Sequence, residues 1–192
     1  MPLRIGEFTT VGRVVTFRGL VDGREHLAIG LGEPGPVPLV RPHSECLTGD
    51  VLGSERCDCG PQLREAVERI TEVGGYLLYL RQEGRGIGLY EKLDAYGLQD
   101  QGLDTYDANL ALGHDVDERD YTVAAQMLRA LGVSRVALLS NNPEKVRQFR
   151  RFGVTVDALV PTGVHLSAAN ARYLGTKARR GAHTLDFPIS AG

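Results

Sequence analysis

Tyr76-Leu-Leu-Tyr-Leu80, followed directly by Arg81-Gln-Glu-Gly-Arg-Gly-Ile-Gly88, carries the strongest indication of fold class in the chain. A short continuous apolar run predicts a strand that is buried on both faces, as in parallel sheets. The glycine-rich loop ends that strand, at the position where α/β proteins place ligand-binding loops. The loop matches neither of the common phosphate-binding glycine patterns, so a flexible turn without a ligand is an equally good interpretation.

Helices and strands alternate on both sides of this run. After Pro61, apolar residues at helical spacing predict a helix at residues 62–73, which Gly74 and Gly75 end. Further along the chain the pattern predicts helices at residues 89–98, 119–131 and 143–152 and strands at 133–139 and 154–160. This alternation predicts an α/β core with a partly parallel sheet.

The amino-terminal part has a different pattern. β-rich runs at residues 13–20 and 24–31 flank Asp22-Gly23, a turn signal that is typical of a hairpin. The expected fold class is therefore α/β, with a mixed, partly parallel sheet and flanking helices, preceded by an N-terminal antiparallel β segment.

Length and composition indicate one compact domain over residues 1–192. The chain has 192 residues, of which 42% are hydrophobic and 24% charged, enough to bury a core. Residues 167–180 can form a helix, but their Lys, Arg and Gly residues leave its packing open. The tail from about residue 165 can therefore be flexible.

The charge balance argues against two classes of partner. Lys and Arg total 22 against 24 Asp and Glu, and the net charge of −2 does not attract the whole chain to nucleic acid or to an anionic membrane. Residues 1–10 contain no apolar core of signal-peptide length, and no later apolar run approaches the roughly 20 residues of a membrane span. We therefore expect a cytoplasmic protein without nucleic-acid or membrane partners.

All three cysteines, Cys46, Cys57 and Cys59, lie in one short segment. An odd number cannot pair within the chain, and in a reducing cytosol this clustering favours a metal site. Three thiolates occupy three corners of a tetrahedron around zinc and leave the fourth for water, whose pKa the metal lowers towards 7. Two alternatives remain open: a structural site with His43 as fourth ligand, and buried thiols without a metal.

Other segments hold candidate binding residues. Ser140-Asn-Asn-Pro143-Glu-Lys145 follows a predicted strand and opens a helix, so its N–H groups and Lys145 can bind a phosphate. An Asn cap with Pro in the first helical turn explains the same residues without a ligand. Asp117-Glu-Arg-Asp120 has the composition of a solvated first helical turn. By periodicity alone, Tyr96 is a half-buried packing residue of a helix.

Five segments together resemble GTP cyclohydrolase II, although no single one of them is specific. They are Arg41-Pro-His-Ser-Glu-Cys-Leu-Thr-Gly-Asp50, Arg56-Cys-Asp-Cys-Gly60, Arg81-Gln-Glu-Gly-Arg-Gly-Ile-Gly-Leu89, Asp117-Glu-Arg-Asp120 and Asn141-Asn-Pro143. The segments occur in register, and the resemblance extends more loosely over nearly the whole chain.

The resemblance implies a hydrolase that acts on a cyclic amidine, the imidazole ring of GTP, in the first step of riboflavin biosynthesis. The reaction would release formate and pyrophosphate and give 2,5-diamino-6-ribosylamino-4(3H)-pyrimidinone 5′-phosphate. The implied cofactors are one zinc ion per chain, bound by the three cysteines and water, and Mg²⁺ bound with the triphosphate of GTP. The implied assembly is a homodimer.

The family pattern also implies roles for individual residues. Asp117 would accept a proton, and Tyr96 would act in the hydrolysis that releases formate. Arg119 would be a nucleophile towards the α-phosphate, although charge stabilisation is the simpler role for a guanidinium. The residues that would line the GTP site are Arg41, Pro42, His43, Ser44, Glu45, Gln62, Glu83, Gly84, Arg85, Thr105, Ser140 and Lys145.

Two of these positions depart from the family pattern. Ser140 stands where Thr is usual and keeps the hydroxyl group, so its contact is expected to survive. Pro42 replaces a more usual aliphatic residue and removes one backbone N–H donor, which can shift the loop that carries His43.

Three hypotheses compete with the full reaction. A close variant stops at the formylamino pyrimidine without releasing formate, and the presence of Tyr96 argues against it. A nucleotide-binding relative without turnover would bind GTP and form no product. A structural zinc module for nucleic acid or a protein partner would unfold on chelation, but the balanced charge and the lack of a second cysteine pair count against it.

Overall fold

A computed structural model describes residues 1–115, 117–167, 169 and 170. The chain divides into two compact units, the first made of residues 1–43, 61–81 and 121–163. The second contains the described residues within 44–60, 82–120 and 164–170. The expected helix at 167–180 lies almost entirely outside the described residues, and the single domain stays a prediction.

The first unit is built on a mixed six-stranded sheet in the order β3-β4-β6-β5-β7-β8. Strands β1 and β2 form a separate two-stranded antiparallel sheet before it. β3 and β4, and β4 and β6, pair antiparallel, whereas β5, β7 and β8 are parallel. The strand bounds are β1 Pro2–Ile5, β2 Phe8–Val11, β3 Arg13–Thr16, β4 Leu27–Leu31, β5 Leu39–Ser44, β6 Gly75–Leu80, β7 Arg135–Leu139 and β8 Thr155–Val160. The predicted fold class is confirmed.

The described residues contain five α-helices: α1 Cys59–Val73, α2 Leu89–Asp100, α3 Thr105–Ala111, α4 Thr122–Ala130 and α5 Pro143–Arg151. Helices α1, α2 and α5 lie at or near predicted positions. Helix α4 begins later than predicted, and α3 was not predicted. A single π-helical turn, Leu47–Val51, follows β5, and a 3-10 turn, Glu83–Gly86, follows β6. No helix among the described residues is long and apolar enough to cross a membrane.

The first unit buries apolar residues on both faces of the sheet. Successive residues of a strand point to opposite faces, and Leu77 and Leu78 of β6 accordingly belong to different core clusters. The Leu78 cluster includes Leu128 of α4 and Phe149 of α5, and the Leu77 cluster includes Ile70 of α1. Helices therefore cover both faces, which explains why β6 reads as a continuous apolar run.

Two predicted details differ from the structure, and one strand was not predicted. The N-terminal hairpin is confirmed as β3 and β4, but its strands are shorter than predicted, because Asp22 and Gly23 lie within a loop of residues 17–26. Helix α4 begins at Thr122 instead of residue 119, since Arg119 pairs with Asp117 before the helix starts. The prolines obscured β5, whose ladder with β7 covers only Leu39 and Val40 and leaves Pro42 beyond it.

Candidate metal centre and active site

The three cysteines form one cluster in the second unit. Their Sγ atoms all lie within 4.8 Å of one another, and the Sγ atoms of Cys46 and Cys57 are 3.7 Å apart. The π-helical turn begins directly after Cys46, and α1 begins at Cys59. Among the described residues, this group of potential ligand atoms contains three sulfurs and no histidine.

The surroundings of the cluster fit a metal ion. The N–H group of Gly49 points at the Cys46 sulfur at 3.4 Å. A Cβ atom at Gly49 would lie 2.8 Å from the Cys57 sulfur and 3.1 Å from the Cys46 sulfur, so only glycine leaves the sulfurs this space. Three sulfurs this close together could hold a metal ion, and thiolate donors suit zinc.

The sulfurs perturb each other's protonation. Hydrogen bonds from the Cys57 and Cys59 thiols, together with the Lys92 ammonium, hold the pKa of Cys46 far below its usual range. The hydrogen bond with Cys46 raises the pKa of Cys57 to about 11, and the same contacts with burial raise that of Cys59. The hydrogen bonds from the neighbouring thiols and the Lys92 ammonium thus favour the thiolate form of Cys46.

Lys92 of α2 lies against this cluster with Glu83. The Lys92 ammonium donates to the Cys46 sulfur at 3.1 Å, to Thr48 Oγ1 at 3.0 Å and to Glu83 Oε1 at 2.7 Å. Burial acts to lower the pKa of Lys92, but the Glu83 carboxylate and the Cys46 thiolate raise it above its usual value. The Lys92 ammonium is therefore charged, and both side chains of the pair are largely shielded from solvent.

Tyr96 lies one helical turn after Lys92. Its hydroxyl group is 3.3 Å from Thr48 Oγ1, and its ring lies beneath the Lys92 ammonium and the Arg56 guanidinium. Burial raises the pKa of Tyr96, so the phenol stays protonated at neutral pH. The structure thus places this predicted catalytic residue beside the loop that carries Cys46.

Asp117 and Arg119 form an ion pair in the loop before α4. Arg119 Nε donates to Asp117 Oδ1 at 2.7 Å, and its terminal nitrogen contacts the other carboxylate oxygen. Burial acts to raise the pKa of Asp117, but the hydrogen bond and charge of Arg119, with Arg85, bring it below its usual value. Asp117 is therefore an anion and a weak base.

The glycine-rich loop is attached to the segment that carries this pair. The Glu118 N–H donates to the Arg85 carbonyl at 2.9 Å, and the Gln82 side chain donates to the Asp120 carbonyl. Arg85 has a φ of 62°, a left-handed conformation that is strained for any residue but glycine, and its guanidinium lies 4.6 Å from the Tyr106 ring centre. The loop is thus joined by hydrogen bonds to residues 118 and 120 and by a cation–π contact to Tyr106.

In the first unit, β5 and α1 position Arg41 and Gln62. The Arg41 guanidinium donates to Gln62 Oε1 at 2.6 Å and to the Leu139 carbonyl at 3.1 Å, and both side chains are buried. His43, on the same strand as Arg41, stacks on Tyr79 with ring centres 5.6 Å apart. Protein contacts thus orient these three predicted nucleotide-contact residues.

The segment that opens α5 combines a cap with a buried cation. Asn142 accepts the Glu144 N–H at 2.9 Å and Pro143 occupies the first turn, as the cap interpretation predicts. Ser140 Oγ accepts the Asn142 N–H at 3.0 Å, and Lys145 donates to the Pro42 carbonyl at 2.9 Å. Lys145 is buried, so this segment places a cationic side chain inside the first unit.

The remaining predicted contact residues lie at or next to the ends of β5 and α3 and in the 3-10 turn. Pro42 and Ser44 lie at the end of β5, and Glu45 follows them as a half-buried residue. Gly84 lies in the 3-10 turn, and Thr105 is the first residue of α3, after the Asp104 cap.

Sequence reasoning missed Lys92 and Thr48. A lysine on an amphipathic helix normally lies in solvent, and the acceptors of Lys92 are 9, 44 and 46 residues away along the chain. The available signal was its spacing of four residues from Tyr96, which places both side chains on one helical face.

The chain is similar in sequence to several known proteins. The sequence profile of the GTP cyclohydrolase II family matches residues 1–161. A GTP cyclohydrolase-2 of Psychromonas ingrahamii is 50% identical over 97% of this chain and 96% of its own length. One of Vibrio parahaemolyticus is 51% identical over 90% of this chain and 88% of its own. The riboflavin biosynthesis protein RibBA of Bacillus velezensis is 50% identical over 97% of this chain and 47% of its own length.

Proposed function

The chain belongs to the GTP cyclohydrolase II family, and we propose that it opens the imidazole ring of GTP and releases formate and pyrophosphate. Membership of this family indicates a hydrolase of the GTP cyclohydrolase II type that acts in riboflavin biosynthesis. The proposed product is 2,5-diamino-6-ribosylamino-4(3H)-pyrimidinone 5′-phosphate. The observation that carries the proposal is the group of three cysteine sulfurs within 4.8 Å of one another in a chain of this family.

In this proposal Cys46, Cys57 and Cys59 hold one zinc ion. When bound, zinc supplies a Lewis acid that activates water near neutral pH for attack on C8 of guanine, an amidine-like carbon. Gly49 supports this role because its missing side chain leaves room around the sulfurs.

We assign Tyr96 to proton transfer in the release of formate. Its phenol stays protonated because burial raises its pKa, so it can donate a proton to the departing nitrogen. Its hydroxyl group lies within hydrogen-bond distance of Thr48 Oγ1, and the Lys92 and Arg56 cations contact its ring.

We assign Arg119 to charge stabilisation at the α-phosphate in the step that releases pyrophosphate. A nucleophilic guanidinium must lose a proton, and the ion pair with Asp117 favours the charged form. Because the pKa of Asp117 is lowered, that carboxylate is a poor acceptor for the arginine proton. Asp117 therefore orients Arg119 in this proposal.

The residues proposed to contact GTP are those that the family pattern implies. They are Arg41, Pro42, His43, Ser44, Glu45, Gln62, Glu83, Gly84, Arg85, Thr105, Ser140 and Lys145. The described contacts favour an indirect role for Glu83, whose two carboxylate oxygens accept from Lys92 and from the Leu47 N–H. Lys145 and Arg85 supply the positive charge that an anionic substrate requires.

The proposal extends to conditions and assembly. Mg²⁺ would enter with the triphosphate and neutralise the leaving pyrophosphate. The protein would act as a homodimer in the cytoplasm, where thiols stay reduced. Sedimentation of the zinc-loaded protein tests the dimer separately from activity.

The test is to measure formate and pyrophosphate from GTP and Mg²⁺, using zinc-loaded protein, chelated protein and chelated protein with zinc restored. We expect equal amounts of both products, loss of both after chelation and recovery with zinc. Absence of both products from zinc-loaded protein that binds GTP would instead support the nucleotide-binding relative without turnover.

The same samples separate the other hypotheses. Pyrophosphate with a formylamino pyrimidine and no formate would identify the shorter reaction. A structural zinc module predicts that chelation unfolds the protein, whereas our proposal predicts lost turnover with most secondary structure retained, because the first unit has its own apolar core. Far-UV circular dichroism of the chelated protein gives this distinction.

A further inference from the structure

We propose that Lys92 is a positioning residue of the metal centre, which holds the Cys46 sulfur in place as a ligand and offsets the negative charge of the three thiolates. This inference rests on the proposed metal site and adds a residue to it. The family pattern used above assigned no role to this lysine.

The first argument is the direct contact between the ammonium group and a ligand atom. Lys92 Nζ lies 3.1 Å from the Cys46 sulfur, and the side chain is only 11% exposed. A buried ammonium is costly unless it is paired, and a lysine on a helix normally extends into water. The contacts with Cys46, Thr48 and Glu83 therefore explain why the Lys92 side chain points into the protein.

The second argument is charge. Three thiolates around a divalent zinc ion carry a net charge of about −1, which a low-dielectric environment disfavours. The Lys92 ammonium in contact with one sulfur reduces that charge. Hydrogen bonds to metal ligands from surrounding groups commonly tune affinity in this way.

The third argument is how Glu83 fixes the lysine. Glu83 Oε1 accepts from Lys92 at 2.7 Å, and Oε2 accepts the Leu47 N–H at 2.7 Å. Leu47 follows Cys46 directly, so the Glu83–Lys92 pair holds the backbone and the side chain of the same short segment. Glu83 thereby restrains the backbone next to Cys46, and Lys92 restrains the Cys46 sulfur itself.

The fourth argument distinguishes positioning from catalysis. An ammonium has three N–H donors, and Lys92 has three acceptors: Glu83, Cys46 and Thr48. All three donors are thus used inside the protein. Lys92 acts through Cys46 and does not deliver a proton to the substrate.

The experiment measures zinc affinity by competition with a chromophoric chelator for wild type, Lys92→Met, Glu83→Gln and the double variant. We expect Lys92→Met to bind zinc about 10-fold to 100-fold more weakly, the range for loss of a partner to a metal ligand. Weaker binding in Lys92→Met could come from loss of the ammonium or from the Glu83 carboxylate that is left unpaired. The double variant distinguishes these two causes, because it has no carboxylate at position 83. We expect it to remain as weak as Lys92→Met.

A second readout follows the sulfur itself. In the cobalt-substituted protein, loss of the ammonium should shift the sulfur-to-cobalt charge-transfer band to longer wavelength in Lys92→Met and in the double variant. Lys92→Arg keeps the charge and should return both the band and the zinc affinity towards wild type. Thermal unfolding of each metal-free variant checks that the folds are equivalent.

The outcomes separate the inference from the proposal on which it rests. Wild-type protein that binds no zinc would reject the metal site itself. Wild-type binding with equal affinity in Lys92→Met, recovery of affinity in the double variant, or an unshifted cobalt band would overturn the role of Lys92 alone.

Discussion

Gly49 shows how one missing side chain shapes the proposed metal centre. We predict that Gly49→Ala weakens zinc binding by at least roughly tenfold, comparable with loss of a partner to a metal ligand, because its Cβ would lie 2.8 Å from the Cys57 sulfur. Chelator competition measures the effect.

Gly97 is the matched control for this substitution. It lies exposed on α2, and a Cβ there meets no atom within 4 Å. Gly97→Ala should leave zinc affinity unchanged and stabilise the helix slightly, since alanine favours helices by about 1 kcal/mol over glycine. Equal zinc affinity in the two variants would contradict the steric role of Gly49.

Tyr96 is predicted to act in only one of the two hydrolytic steps. Tyr96→Phe removes the hydroxyl near Thr48 but keeps the ring beneath its cations. Formate release should slow by about 100-fold, the lower range for general acid catalysis, while ring opening continues. Mass spectrometry should detect the accumulated formylamino pyrimidine. If formate release and ring opening decline together, the assigned step is wrong.

Arg119 separates a charge-stabilising role from a nucleophilic one. Arg119→Met should slow pyrophosphate release by about 100-fold or more, the typical cost of losing one such electrostatic contact. Arg119→Lys keeps the charge and should retain part of the rate. Single-turnover pyrophosphate release measures both variants, and equally complete loss in both would favour the nucleophile.

The loop between β3 and β4 is attached to the end of β6 by a buried histidine. His26 Nδ1 accepts the Arg81 N–H at 2.9 Å, and its Nε2 lies 2.8 Å from Asp22 Oδ2. Arg24 also donates to the Arg81 carbonyl at 2.8 Å. These contacts fix the residue from which the glycine-rich loop starts.

This attachment should give a pH-dependent contribution to stability. Burial acts to raise the pKa of Asp22, but the hydrogen bond with His26 and the Arg24 N–H lower it below the usual value. The carboxylate therefore stabilises the fold fully above its unfolded pKa of about 3.9 and loses the contribution as pH falls through the lower folded pKa.

Urea unfolding of wild type and Asp22→Asn from pH 7 to pH 3 measures this contribution. The difference in unfolding free energy should be constant above about pH 5 and shrink below about pH 4. Glu25→Gln, a change at an exposed neighbouring carboxylate, should show no such trend. A difference for Asp22→Asn that stays the same at pH 3 would contradict the role of Asp22.

The elements that could be predicted are those with a local signal. β6 and α1 follow from an apolar run and a helical period, because their faces are buried along their whole length. β5 lies among prolines, and α3 is a short helix set by the Asp104 cap, so neither has a clear period. The glycine-rich loop follows β6 as predicted, because its position depends only on the order of residues along the chain.

The cysteine cluster was predictable because its members are close in sequence, whereas Lys92 was not. The spacing of the cysteines within residues 46–59 already favours one metal site, and their sulfur atoms lie within 4.8 Å of one another. The burial of Lys92 depends on Glu83, Cys46 and Thr48, which no local pattern connects to it. Long-range contacts of this kind arise from the fold.

The predicted site residues are distributed over the two compact units. The first contains the sheet, both apolar clusters, and the buried Arg41 and Lys145. The second contains the cysteines, Tyr96 and the Asp117–Arg119 pair. Residues 1–161, which match the family profile, include parts of both units.

Zinc X-ray absorption on the loaded protein tests most directly whether the chain holds zinc through three cysteines with one position free. We predict three sulfur neighbours at about 2.3 Å and one oxygen neighbour at about 2.0 Å, exchangeable for an added anion. Cys57→Ser should lose one sulfur neighbour. A fourth protein ligand on zinc, or fewer than three sulfurs in the wild type, would contradict the account.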